Sequence, residues 1–456
     1  MTRPTHTPEV RVREVSLFER HVNLRLPFRF GAATVTQCPQ AFVRIRVEVG
    51  GKSIEGATAE LMVPKWFDKA PTLTHAQNFE QLREALRCAA ESYLDAEASH
   101  SPYALSHSQG EAAIRTSVAR GLPRLAAQFG PALLDKAVAD AALRASGQGW
   151  VDGVTSGLLG DPWSGKIRLH TASTVWVRHT VGLADRIVAS DPGMDPADGL
   201  PATLEEAIAH YGLRYFKIKL SGQADADRDR LTRIASVLAA SAGDYRATLD
   251  GNETFSSAQS LGEFWQQLKA QAPLKDLLER TLLLEQPLPR AIALNESIAS
   301  LGIDVPVILD ESDDHAEVFE QGLALGYRGI SSKACKGIYR SLHSAWLVAQ
   351  APQKRLLSGE DLTCQAGLAV QQDTLLASSL GVTHIERNGH HYVDGFGTAP
   401  ESESLGFVQA QPGLYAVSHG RARLAVQGGQ LNLSSLHRPG FAHAASPQWS
   451  HLSPIN

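Results

Sequence analysis

The sequence predicts an α/β fold built on a closed (β/α) barrel of the TIM type, on three observations. Short apolar runs recur eight times. Helix-compatible text separates them. Charged residues of matching kinds stand at the ends of consecutive runs. The runs are Ile167 to Val177, Tyr215 to Leu220, Ala247 to Asp250, Thr281 to Glu285, Val305 to Asp310, Gly329 to Lys333, Arg355 to Ser358 and Val382 to Glu386. An open doubly wound sheet is the alternative, but no GxGxxG follows the first strand as a dinucleotide-binding sheet would require.

The text before the barrel is of another kind. Val10 to Leu17 and Ala41 to Val49 alternate apolar and polar residues, the period of half-buried strands, and Gly50-Gly51 turns the second into a hairpin. Pro27 to Gln40 and Ala57 to Lys69 mix Gly, Pro and aromatic residues, and read either as loops that cover something or as ordinary surface loops. Thr74 to Ala98 and Glu111 to Gln128 are helical in composition. In Pro131 to Ser146 an apolar stripe starts after Pro131 and stops at Gly147. Gly147 to Lys166 reads as a loop.

After Gly397 the alternation ends. Leu414 to Val417, Arg421 to Val426 and Leu431 to Leu433 read as strands, the last two joined through Gln427-Gly428-Gly429. The expected division is an α+β unit (1–130), the barrel (131–400) and a segment (401–456) that returns to the first unit, its last twenty residues poorly ordered.

Composition excludes several classes. Of 456 residues 43% are apolar and 20% charged, enough to bury a core. Forty-three basic against 48 acidic residues lack the excess that phosphate neutralisation needs, so no nucleic-acid partner is expected. Four cysteines, Cys38, Cys88, Cys335 and Cys364, show no CxxC spacing, which argues against a disulfide scaffold or a cysteine zinc site. No run is long and apolar enough to span a membrane, and the N-terminus has no apolar leader. A cytoplasmic protein without membrane partners is the expectation.

The strand ends carry the chemistry. The second ends in Lys217-Ile218-Lys219, the third in Asp250-Gly251-Asn252, the fourth in Glu285-Gln286-Pro287, the fifth in Asp310-Glu311-Ser312 and the sixth in Ser331-Ser332-Lys333. Singly, each is a solvated edge, a turn or a cap. The series from Lys219 to Asp250, Glu285, Asp310 and Lys333, at intervals of 31, 35, 25 and 23 residues, fits one βα unit per step. Three hard oxygen ligands on one rim suit Mg²⁺, and no His or Cys stands among them as Zn²⁺ would prefer. A lysine near other cations in a desolvated site loses pKa and can act as a base near neutrality.

FKIKL, LDGN, LEQP, LDES and ISSKACKGI together resemble the enolase superfamily, in its mandelate racemase and muconate-lactonizing branch. The resemblance covers most of the chain, with the N-terminal hairpin and the tail similar to that family's capping domain. It implies that Asp250, Glu285 and Asp310 bind Mg²⁺ and that Lys219 and Lys333 are acid/base groups on opposite faces of a carboxylate substrate. Lys217 would neutralise that carboxylate and depress Lys219, with Asn252 at the edge of the site. Lys336 competes with Lys333, and Glu311 with Asp310. Strand seven ends Leu357-Ser358-Gly359-Glu360-Asp361 without the histidine of racemase-type relatives, which resembles the two-lysine, muconate-lactonizing pattern. Glu360 either orients substrate or belongs to a helix cap. His390-His391 either touches substrate or is solvated. Relatives are commonly homo-oligomers. The chain is longer than a typical relative, with the surplus placed in Ser99 to Glu111, Gly147 to Lys166, Asp191 to Leu200 and the tail.

The reaction implied is removal of a proton α to a carboxylate, through an enediolate stabilised by the cation and Lys217. Two acting lysines give a racemase or epimerase, and one gives a cycloisomerase. A lyase that dehydrates a hydroxy acid or acid sugar uses the same enediolate. An inactive barrel serving as a binding or structural subunit is the third reading. Trp66 and Phe67 suggest an apolar arm on the substrate.

Overall fold

The computed structural model describes residues 7–456. The residues before Thr7, part of the stretch read as lacking a leader, lie outside it. The first unit is an antiparallel sheet of β1 (Val10–Phe30), β2 (Ala33–Val49) and β3 (Lys52–Leu61). Gly50 and Gly51 both take positive φ in the two-residue turn between β2 and β3, the conformation a type I′ turn requires. Neither presumed loop is irregular throughout. Pro27 to Gln40 is the end of β1 and the start of β2, with a bulge between Asn23 and Phe28. Phe28, Phe30, Ala33 and Val35 are buried while Arg29 and Thr34 are exposed, a period of two that the Gly and Pro residues disguised. Ala57 to Leu61 belongs to β3 and is covered on both faces, so it shows no alternation. Only 62–73 loops out.

The helix His75–Leu94 opens on a capping box between Thr74 and Gln77. The expected helix at Glu111 to Gln128 is interrupted. Glu111–Ala119 ends before Gly121, which has positive φ, and a short helix Arg124–Ala127 follows. The helix Phe129–Ala145 is buried through 143 and packs on β3. A Cβ added at Gly56 would lie 2.1 Å from Ala137 O, and one at Gly130 would lie 2.0 Å from Ala85 O, so glycine sets both approaches. Asp140 on this helix accepts from Ala57 N, Phe441 N and His443 Nδ1, tying sheet, helix and tail together. Gly147 to Lys166 holds a helical turn, Trp150–Thr155, within its loops.

Eight parallel strands follow: β4 (Thr174–Val181), β5 (Tyr215–Lys219), β6 (Arg246–Asp250), β7 (Thr281–Glu285), β8 (Val307–Leu309), β9 (Gly329–Ser332), β10 (Leu356–Gly359) and β11 (His384–Arg387). Each pairs with the next, and β11 pairs with β4 to close the barrel. The first strand begins at Thr174 rather than Ile167, where Asn432 of the tail pairs with it, and β11 joins from Trp176. In the tail, β12 (Tyr415–Ser418) pairs with β13 (Arg421–Leu424). The turn expected through Gln427-Gly428-Gly429 closes, with Gln427 and Gln430 exchanging backbone hydrogen bonds, but the pairing goes no further. β14 (Gln430–Asn432) instead pairs antiparallel with β4, beside the stretch that β5 leaves free. The final residues are packed: Leu452 is buried and β15 (Ser453–Pro454) adds to β1, which returns the tail to the first sheet. No helix among the described residues is long and apolar enough to cross a membrane.

Candidate functional site

At the C-terminal ends of the strands Lys219, Asp250 and Glu285 stand level, because Lys219 pairs with Asp250 and Asp250 with Glu285 across β5, β6 and β7. Lys217, two residues before Lys219, points to the same face. Its ammonium lies 3.0 Å from Asp250, 2.7 Å from Glu285, 2.7 Å from Glu360 and 3.0 Å from Glu386. Lys219 Nζ donates to Asp250 Oδ2 at 2.6 Å, and Lys333 Nζ to Asp310 Oδ2 at 2.7 Å. All of these side chains are buried.

Local backbone supports the arrangement. Asn252 and Glu253 follow β6, Gln286 follows β7 and Thr363 lies beyond β10, all with positive φ, a strain that non-glycine residues hold only where surroundings impose it. The Gln286 amide accepts from Asp310 N and Ser312 N and donates to Ser312 Oγ, which fixes the chain that carries Asp310. Asp310 also accepts from Ser331 Oγ. Glu311 turns elsewhere: it accepts from Asn252 Nδ2 at 3.0 Å and meets Lys69 from the loop after β3.

That loop covers the site. Arg290 donates to the carbonyls of Trp66 and Phe67, and Lys69 pairs with Glu253 at 2.6 Å. The Trp66 ring lies 4.2 Å from Lys333 Nζ, while Phe28 and Phe30 of the β1–β2 hairpin approach Lys219. Beneath these aromatic residues is a small cavity lined by Trp66, Lys219, Asn252, Lys333, Glu386 and Asn388, among others, with room for about one water molecule. Trp66 Nε1, Asn252 Oδ1 and Asn388 Oδ1 are buried there without a hydrogen-bond partner. Phe67 stacks edge-on behind Trp66 and does not line it.

The charges settle differently from expectation. Burial alone would lower Lys217, but four carboxylates hold it well above the usual lysine range. Burial is likewise outweighed at Lys333, which Asp310 pushes up. At Lys333 the lowering by the Lys217 cation is outweighed, because Asp310 lies closer. Burial and the charges of Asp250 and Glu360 raise Glu285 well above the carboxylate range, although Lys217 lies 2.7 Å from its Oε2. Against its burial, Lys333 and Lys336 hold Asp310 well below that range.

Asp250, Glu285 and Asp310 are hard oxygen donors without His or Cys, and the surroundings of Glu285 disfavour its ionised form, which an added cation would favour, so their chemistry fits a small divalent cation. As the side chains stand, Lys217 lies between Asp250 and Glu285. Among the described residues no three ligating side chains converge on one point.

Lys336 is kept from the cavity by Ser331, Asp310 and Asp313. Glu360 is no helix cap: it pairs with Arg178 of β4 and with Lys217. His390 and His391 are neither solvated nor at the cavity. They pack with His179 behind it, His179 Nδ1 lying 3.0 Å from His390 Nε2, and burial lowers all three. Sequence reasoning missed Glu386 and Arg178. Glu386 ends a predicted strand as the other acids do, and that position was its signal. Arg178, inside β4, had none.

No family model and no curated protein sequence matches the chain. Solved structures do. The chain is 16% identical to 2-chloromuconate cycloisomerase from Rhodococcus opacus 1CP, covering 96% of this chain and 97% of that one with a TM-score of 0.62. It is 15% identical to a dipeptide epimerase from Enterococcus faecalis V583, complexed with Mg and L-Leu-L-Tyr, covering 96% and 100% with a TM-score of 0.61. An enolase from Bradyrhizobium, complexed with magnesium and mandelic acid, is 15% identical over 97% of each chain with a TM-score of 0.63.

Proposed function

The chain has the fold of the mandelate racemase and muconate lactonizing enzymes, a barrel with a capping domain, and we propose that it is an enzyme of that branch of the enolase superfamily. The reaction is removal of a proton α to a substrate carboxylate, most consistent with a racemase, epimerase or cycloisomerase. One observation carries this reading. Lys219 and Lys333 come from the second and sixth of eight strands, diametrically opposed in a closed barrel, and line one cavity.

A substrate α-carbon held between two lysines can lose its proton to a neutral amine on one side, and the planar enediolate so formed can take a proton from the ammonium on the other. Lys219 or Lys333 takes the proton when neutral, and Lys333 becomes neutral more readily once Asp310 is engaged elsewhere. Lys217, fixed by Glu360 and Glu386, contributes positive charge to the developing oxyanions at no cost in reorganisation. Trp66, Phe28 and Phe30 exclude water, which strengthens each of these interactions. Asp250, Glu285 and Asp310 would hold Mg²⁺, which when bound supplies Lewis-acid stabilisation of the substrate carboxylate. Asn252 lines the substrate side, and Glu360 acts there only through Lys217. A small carboxylate is the partner, and a homo-oligomer is the expected state.

The test is a D₂O exchange screen over acid sugars, N-acyl amino acids and dipeptides, with Mg²⁺ and with EDTA. Deuterium at the α-carbon of recovered substrate, lost in EDTA and in Lys333→Ala, is the expected result. A 2-keto acid would assign the site to elimination. Exchange that persists in both Lys219→Ala and Lys333→Ala would remove the lysines from the chemistry.

A further inference from the structure

Apolar side chains dominate the walls of the cavity that holds Lys219 and Lys333. Phe28, Phe30, Val63, Trp66 and Leu362 all line it. Their placement follows the two lysines. The rings of Phe28 and Phe30 each lie 5.9 Å from Lys219 Nζ, and the Trp66 ring lies 4.2 Å from Lys333 Nζ. A carbon held between the two amines therefore meets aromatic faces on both flanks. Val63 joins Trp66 from the same cover loop.

The charged groups around these walls already have partners. In and beside the cover, Lys69 pairs with Glu253, Arg290 pairs with Glu253, and Lys65 donates to the carbonyls of Ala70 and Leu73. Arg29, between Phe28 and Phe30 in sequence, is exposed on the opposite face of β1. The two acids of the lining are engaged as well. Asp361 accepts from Cys364 N and Asn388 N beside Arg387, and Glu386 is held by Lys217, Thr180 and Asn388. The rest of the polar lining is neutral: Asn252, Thr363 and Asn388. An ion carried into such walls loses its water and gains no counter-charge, whereas an apolar group leaves water favourably. A polyhydroxylated chain is poorly matched too, because each buried hydroxyl needs its own hydrogen-bond partner.

We propose that this cavity takes a monocarboxylate whose α-carbon bears an uncharged, apolar arm, and that it rejects dicarboxylates and acid sugars. The inference rests on the proposed reaction, which sets the α-carbon between Lys219 and Lys333. As it stands the cavity has room for about one water molecule, so the cover loop must lift for entry. On its return Val63 and Trp66 enclose the arm, and Phe28 and Phe30 meet it from the Lys219 side.

The test is α-proton exchange in D₂O with Mg²⁺, run on pairs of nearly the same shape. Racemic N-acetylleucine is set against racemic N-acetylaspartate, and 2-hydroxy-4-methylpentanoate against malate, with gluconate as the acid sugar. The two members of a pair share a branched outline and differ in charge, so shape does not decide the ratio. In the pair that exchanges, the apolar member should be at least roughly a hundred-fold faster, the rejection that an unpaired buried charge imposes. Val63→Arg places a cation on the wall and should move that ratio toward the dicarboxylate by roughly ten-fold or more. A variant that had only lost its fold would slow both members alike. Comparable or faster exchange of a dicarboxylate or of gluconate overturns the proposal and leaves α-proton removal standing. An unchanged ratio in a folded Val63→Arg also overturns it, because the wall would then not select. Calorimetric titration of the same compounds separates the two readings. Tighter binding of the apolar members without any exchange would remove the reaction and support the ligand class. Absence of binding by every compound at millimolar concentration overturns the class as well.

Discussion

Lys333 Nζ stands 4.2 Å from the centre of the Trp66 ring, and the two residues come from different parts of the fold. Lys333 ends a barrel strand; Trp66 sits in the loop after β3, where Arg290 of the barrel holds its carbonyl. The N-terminal unit therefore supplies a wall of the cavity and holds it against a lysine that the proposed reaction uses as a base.

Trp66→Leu keeps apolar bulk but removes the ring face. A desolvated cation–π contact is worth ~0.5–2 kcal/mol, so kcat/KM for α-proton exchange is expected to fall between about two-fold and thirty-fold. Steady-state exchange rates check it. An unchanged value would mean that the ring does not position Lys333.

Glu386 bears on Lys217 more directly. It pairs with that lysine, accepts from Thr180 and Asn388, and lines the cavity. Glu386→Gln is expected to lower kcat at least roughly ten-fold, by loosening a charged hydrogen bond worth ~1.5–3 kcal/mol. A lower melting temperature with unchanged kcat would show that the residue only braces the barrel.

The crossing of Phe129–Ala145 on His75–Leu94 depends on Gly130. Because the methyl of Gly130→Ala would run into the backbone oxygen of Ala85, the helices must separate, at a cost of ~1–3 kcal/mol. Chemical denaturation should show this loss. A variant as stable as the parent would mean that the helices part freely.

The barrel was legible because each strand is a short apolar run with a helix behind it, and the acids and lysines at the strand ends broke that pattern at the same place each time. Tyr215–Lys219 and Thr281–Glu285 needed no tertiary information. What failed was of two kinds. Pro27 to Gln40 hides a period of two behind turn residues, and β14 chooses β4 over its sequence neighbour because the barrel leaves an open edge there. At the site, Lys217 among four carboxylates could not be read from Lys-x-Lys, since Glu360 and Glu386 come from strands far along the chain. Charge balance depends on distances, and the carboxylate nearest Lys333, Asp310, comes from another strand.

Asp135 provides a pH-dependent test remote from the barrel cavity. Burial pushes its carboxyl from 3.8 up to about 7, against the hydrogen bonds from Tyr93 and Ser106 that favour the charged form. Its folded value is raised, so the fold prefers the protonated acid. The stabilisation is fully present below about pH 4 and is lost as pH rises through about 7. Asp135→Asn keeps a neutral side chain of the same shape at every pH. Measured by urea unfolding, the stability of the parent relative to Asp135→Asn should therefore fall by on the order of 2 kcal/mol between about pH 5 and about pH 8. If that difference stays flat across the range, the carboxyl is ionised throughout, and its two donors rather than its burial govern it.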